Sequence, residues 1–300
     1  MNDSISRQGP GPLASLVLLA GAIASGCAHF AETGGAPRKE TAFAVTASQT
    51  LVSFNAGQPG TLLSSRRLVG LPSGETLVGI DFRVARGQLF ALSDRGRLYR
   101  IDTATAALTP VGSGIGTELH GNQFGVDFNP TVDRIRVVSD TGQNLRVHPD
   151  TGAAVDADPQ SPGLQRDGTL AFAADDPNAG RAPRIVAAAY TYNKENEKIT
   201  TNYALDARSA SLVIQGSIEG TTPVVSPNTG RLRTVGPLGA GGFEQASFDI
   251  SDLTNTGFAA LTRDGASGSQ WYVIDLASGK ATALGAIGIR ETVVGIAIEP

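Results

Sequence analysis

The 300-residue chain has 24 Lys+Arg against 28 Asp+Glu, a formal charge of -4, and its basic residues are scattered rather than gathered in a stripe. That balance excludes a nucleic-acid-binding footprint. A chain of this length buries roughly three quarters of its unfolded surface, so its core needs no disulfide, which its single cysteine could not form internally. The 37 Gly and 16 Pro punctuate many short segments, as in an all-β protein rich in turns.

At the N-terminus, Leu13 to Ala24 (LASLVLLAGAIA) is an apolar run of signal-peptide length, too short for an ordinary membrane-crossing helix. Ser25-Gly26-Cys27 follows and resembles the lipobox of bacterial lipoproteins. The resemblance implies that residues 1–26 are a signal peptide and that the Cys27 thiol and the new amino terminus carry lipid. Residues 27–41 then read as a flexible tether of Gly, Ala, Pro and charged residues. Acyl chains would hold the domain to a membrane by ~0.8 kcal/mol per buried methylene. The expected address is the cell envelope, by default the outer membrane or periplasmic face, because Ala28 replaces the Asp that often retains lipoproteins at an inner membrane. A plain secretory signal with an incidental Cys is the alternative.

From residue 42 a phrase recurs, a short apolar strand often carrying Asp near its end. It reads Val78-Gly79-Ile80-Asp81-Phe82, Phe124-Gly125-Val126-Asp127-Phe128, Leu170-Ala171-Phe172-Ala173, Ala246-Ser247-Phe248-Asp249-Ile250 and Val294-Gly295-Ile296-Ala297-Ile298. Each copy but the last is followed by further strands, as in Leu89 to Leu92, Leu98 to Asp102 and Leu108 to Gly112, with Asp, Thr and Gly at the tight turns. Ile185 to Ala188 and Tyr203 to Asp206 are expected as the second and third strands of the unit that Leu170 opens. The last copy stops at the chain end, and the strands it lacks stand at the start of the domain, in Ala42 to Val45, Leu51 to Phe54 and Leu63 to Gly70. Joining the two ends predicts a five-bladed β-propeller over residues 42–300, closed by pairing of N- and C-terminal strands. The recurring acids Asp81, Asp127 and Asp249 read as caps for backbone amides.

Two stretches, Leu77 to Ile101 and Gly121 to Gly152, with the turn after Tyr272-Val273-Ile274-Asp275, resemble a bacterial domain-of-unknown-function family, number 4394. The likeness spans nearly all of residues 42–300 and implies the propeller fold without transferring any chemistry. Tyr190 to Asn202 and Glu219 to Thr229 stand out as insertions.

In a propeller, the loops leading into the innermost strands share one face with the loops joining second and third strands. The lead-in positions predicted here are Glu75, Asn122, Asp167, Glu244 and Glu291, with His120 and Gln123 beside Asn122 and Arg290 beside Glu291. Asp94, Asp140, Asn144 and Asp264 are expected on the same face. A ring of such oxygens could hold calcium or another hard cation, or a polar, sugar-like ligand; solvated loop polarity is the plain alternative. His120 has no His or Cys at metal-ligand spacing beside it. No nucleophile elbow, P-loop or dinucleotide fingerprint is present.

Two functions remain open on sequence alone. One is a monomeric binding or interaction module on a lipid anchor, for a small ligand or a protein. The other is a hydrolase or lyase using channel-mouth carboxylates such as Glu244 and Glu291, which would need to stand about 5 to 9 Å apart with one pKa raised.

Overall fold

The computed structural model describes residues 35–300, with Met1, Asn2 and Ser4. The apolar run 13–24 and Cys27 lie outside the described residues. Chain contacts separate residues 1–31 from residues 32–300, and the fold below is that of the second unit.

Among the described residues, twenty strands form five sheets. The first blade takes β1 (Thr41–Thr46), β2 (Thr50–Asn55) and β3 (Leu62–Arg67); the second takes β4 (Leu77–Arg83), β5 (Gln88–Ser93), β6 (Leu98–Ile101) and β7 (Leu108–Val111). The third has three strands, β8 (Phe124–Asn129), β9 (Arg134–Ser139) and β10 (Asn144–Val147). After the short β11 (Ala171–Phe172), the fourth blade holds β12 (Ile185–Tyr190), β13 (Asn202–Asp206), β14 (Ser211–Gln215) and β15 (Arg231–Pro237). The fifth holds β16 (Gln245–Ile250), β17 (Gly257–Thr262), β18 (Gln270–Ile274) and β19 (Ala281–Ala286), and β20 (Val293–Ile298) ends the chain.

The ring closes as the sequence predicts. β20 pairs antiparallel with β1, from Ala42 opposite Ile298 to Val45 opposite Gly295, so the last strand of the chain is the innermost strand of the first blade. Trp271, fully buried in the fifth blade, pins the seam. Its indole N–H donates to the Ala56 carbonyl at 2.9 Å, and its ring packs against Phe54 and stacks on Phe258. Large aromatics bury 150–250 Å² each, about the largest apolar contribution one residue can make, and here that area joins the first blade to the last.

The five innermost strands, β20, β4, β8, β12 and β16, pack around the axis. Small residues occupy one level of all five: Gly79, Gly125, Ala187, Ser247 and Gly295. A side chain on Gly125 would put its Cβ 2.5 Å from the Ala188 nitrogen, and one on Gly79 would lie 2.5 Å from Val126. The inner strands therefore touch backbone to backbone, and the space left at this level is about 10 Å³, room for a single water.

The fourth blade departs from expectation. Leu170 to Ala173 does not open it: Ala171–Phe172 runs parallel to β15 at the outer edge, and Ile185–Tyr190 is the innermost strand. Every residue of Ile185–Tyr190 is buried, as the inner position demands, but Ala187 and Ala189 stand where the second and third blades carry Gly79 with Asp81 and Gly125 with Asp127. Its register is shown by the hydrogen bond from the Tyr190 N–H to Asp127 Oδ1 at 3.0 Å, which matches that from the Phe128 N–H to Asp81 Oδ2 at 2.6 Å in the blade before. Residues 191–201 are thus the connection between the first and second strands of this blade.

Candidate functional site

Asp81, Asp127 and Asp249 come from equivalent positions on the inner strands of the second, third and fifth blades. Each accepts a backbone N–H from the following blade: Phe128 to Asp81, Tyr190 to Asp127 and Ile298 to Asp249. The capping role read from the sequence is therefore present, but each bond crosses between blades. All three side chains also converge on the axis, with one carboxylate oxygen from each lying within 4.8 Å of the others. No arginine or lysine pairs with them among the described residues. Burial pushes all three carboxyls up and their neighbouring acids push further, Asp249 to about 7 and the other two well above the ordinary carboxylate range.

Such a set can hold protons or a hard cation. Oxygens bound to one calcium ion lie within about 5 Å of each other, given Ca–O distances of about 2.3–2.6 Å, so the spacing fits. Without a cation, three buried carboxyls at this separation cannot all ionise.

Beyond the acids, on the face where the inner strands end, lies a cavity of about 290 Å³. Val84, Ala85, Phe128, Pro130 and Ile199 give it apolar walls, and Tyr192 and Asp252 line it from the axial side. Burial and the neighbouring Asp81, Asp127 and Asp249 drive the Tyr192 phenol well above its usual value, so it stays protonated. Burial also raises the Asp252 carboxyl, and its Oδ1 is buried with no hydrogen-bond partner. At the rim, Arg83 is held by Asp133 and Asp150 of the next blade. Tyr192, Lys194 and Ile199 all belong to the segment read from sequence as an insertion; its contribution to a site carried no motif that could have announced it.

The opposite face holds the residues singled out from sequence. Lead-in loops and second-to-third loops do lie side by side there: Asp94 Oδ1 accepts from the Thr76 N–H at 3.0 Å, and Asp140 Oδ1 from the Asn122 N–H at 3.0 Å. The acids do not form a free ring. Glu75 is buried against Arg97 and the Tyr99 hydroxyl; burial raises its carboxyl, but hydrogen bonds from Arg97, Ser93 and Tyr99 outweigh that and hold it below its usual value. Glu244 pairs with Arg184 at 2.9 Å, and the Glu291 carboxyl accepts from the Ser48 N–H at 3.3 Å. Asn144 is buried, bonded to Arg136 and Gln215. Because Leu170 to Ala173 is not an inner strand, Asp167 leads into none; Arg184 leads into the inner strand of the fourth blade. Asp167 lies between Arg136 at 2.7 Å and Arg146 at 2.8 Å. His120 and Asp167 line one cavity of about 150 Å³, with the exposed His120 ring 3.5 Å from Arg166.

The family model described as Domain of unknown function (DUF4394) matches residues 50–297. The chain belongs to this family. No curated protein matches the DUF4394 chain. Among solved structures it is similar to the Myxococcus xanthus glutaminyl cyclase, at 14% identity and a TM-score of 0.44 over 73% of this chain and 80% of that one. It is also similar to the Kuenenia stuttgartiensis hydrazine synthase, at 13% identity and 0.40 over 76% of this chain and 53% of that one. A third is an auxiliary nutrient binding protein from Bacteroides ovatus, at 14% identity and 0.41 over 80% and 57%. The DUF4394 chain thus spans about half the length of the hydrazine synthase chain.

Proposed function

We propose that the protein is a non-catalytic binding module, exported and held at the cell envelope by lipid on Cys27, with its small-ligand site in the cavity where the inner strands end. The cavity carries this reading: about 290 Å³, mainly apolar walls, and a few convergent polar groups are the features of a small-molecule pocket. The propeller supplies a rigid frame, since its inner strands leave no room to shift past one another.

The hydrolase or lyase reading through the rim carboxylates Glu244 and Glu291 has less support. A general acid at neutral pH needs a raised pKa, whereas the Ser48 hydrogen bond holds Glu291 below its usual value and Glu244 is engaged by Arg184.

A neutral apolar fluorophore, N-phenyl-1-naphthylamine, tests the cavity. The reading expects saturable binding to the wild type and its loss in Ala85→Trp, which fills the space from the exposed edge. Absence of saturable binding, or equal binding by Ala85→Trp, would overturn it. Fractionation tests the anchor: wild-type protein is expected in membranes with an acylated amino terminus, and Cys27→Ser protein in the soluble fraction. Soluble, unacylated wild type would contradict the anchor.

A further inference from the structure

Three arginines share one face of the three-stranded third blade. Arg134 and Arg136 are two residues apart on β9, and Arg146 of β10 stands directly opposite Arg136 in register. Like charges directly opposite each other destabilise a sheet, so this arrangement calls for compensating charge. Asp167 supplies one negative charge, bridging Arg136 and Arg146. Arg134 makes no ion pair among the described residues; its only hydrogen bonds go to the carbonyls of Val132 and Asp133. Arg134 is thus left without an ion-pair partner, and Arg136 and Arg146 share one.

All three arginines line a cavity of about 330 Å³ between the third and fourth blades, and no carboxylate is among its lining residues. The remaining polar groups there offer donors. The Tyr190 hydroxyl accepts from Arg136 Nε at 3.1 Å, and its own proton goes to no described residue. Asn129 and Asn228 have their side-chain oxygens occupied by Thr131 and Arg136, leaving their NH₂ groups free. Arg146 spends Nε and Nη2 on Asp167, which leaves Nη1. A cavity rich in free N–H and O–H groups, with excess positive charge, is matched by a group that only accepts and is itself negative.

We propose that this crevice binds an oxyanion, a carboxylate or phosphate group, through Arg134 and Arg146. Arg136, buried and nearly saturated, positions Tyr190 and Asn228 instead of meeting the ligand. Asn129 lines both this crevice and the apolar cavity of the proposed function, but Arg134 and Arg146 line only the crevice, so either reading could fail without the other.

The test is titration of the full-length protein with inorganic phosphate and, in a second arm, with acetate, at constant ionic strength set by chloride. Saturable binding in either arm is expected, and the arm that binds more tightly names the preferred group. Arg134→Gln should weaken it at least about tenfold, the loss expected of a charge-assisted contact, and Arg134→Lys should weaken it less. Arg134 is half-exposed and supports no buried group, so its variants should keep the wild-type melting temperature, and Arg66→Gln on an outer strand should bind like wild type. No saturable binding of phosphate or acetate, or equal binding by Arg134→Gln and wild type, would overturn the proposal.

Discussion

On the lead-in face Glu75, Asp167 and Glu244 each lie against a guanidinium, whereas on the axis Asp81, Asp127 and Asp249 lie against one another. Both groups include fully buried acids, so depth alone does not separate them. A buried carboxylate with a close arginine keeps its charge. A buried carboxyl among other carboxyls gives its charge up, either to a proton or to a bound cation. The same residue type therefore serves as half of a salt bridge at one end of the propeller and as a neutral link between blades on its axis.

Removing a partner should hurt most where the pair is most deeply buried. Asp167→Ala leaves Arg136, with 2% of its side chain exposed, without a counter-charge, and denaturant unfolding should show a loss of about 3–5 kcal/mol. A loss below about 1 kcal/mol would mean that the pair does not hold the third blade to the loop that follows it. At the exposed end of the scale, Glu244→Ala removes a half-exposed partner from Arg184 and should cost less than about 1 kcal/mol by the same measurement. A larger cost would erase the distinction between rim and interior.

Closure of the ring was legible because Val294 to Ile298 repeats the phrase of the inner strands yet has no strands after it, and the missing ones stand at residues 42–70. The fourth blade was not, for a local reason. Ile185–Tyr190 carries alanine at both positions that Gly and Asp mark in the copies around Asp81 and Asp127, and inner-strand burial leaves no alternation to read. Leu170 to Ala173 sits at the expected spacing and was the better match by pattern, which misplaced Asp167 as well. The recurrence of Asp81, Asp127 and Asp249 was visible, and so was their bonding to amides. Their meeting was not, because convergence on an axis depends on the radius of the ring, which spacing along the chain does not encode. Pairing of the rim acids with arginines was hidden similarly: Arg97 is 22 residues from Glu75, and Arg184 is 60 from Glu244.

The most direct test of the axial acids is the pH dependence of stability. In the unfolded chain these groups titrate near 4, while folding raises all three, Asp249 to about 7. The unfolded state therefore releases protons first, and stability should fall as pH rises from about 4 to about 7. Unfolding by urea across that range with a chelator present should show this decline in the wild type, and a shallower one in Asp249→Asn, which keeps a neutral side chain at every pH. Stability that rises with pH across the same window, or a decline unchanged by Asp249→Asn, would contradict a proton-holding cluster on the axis.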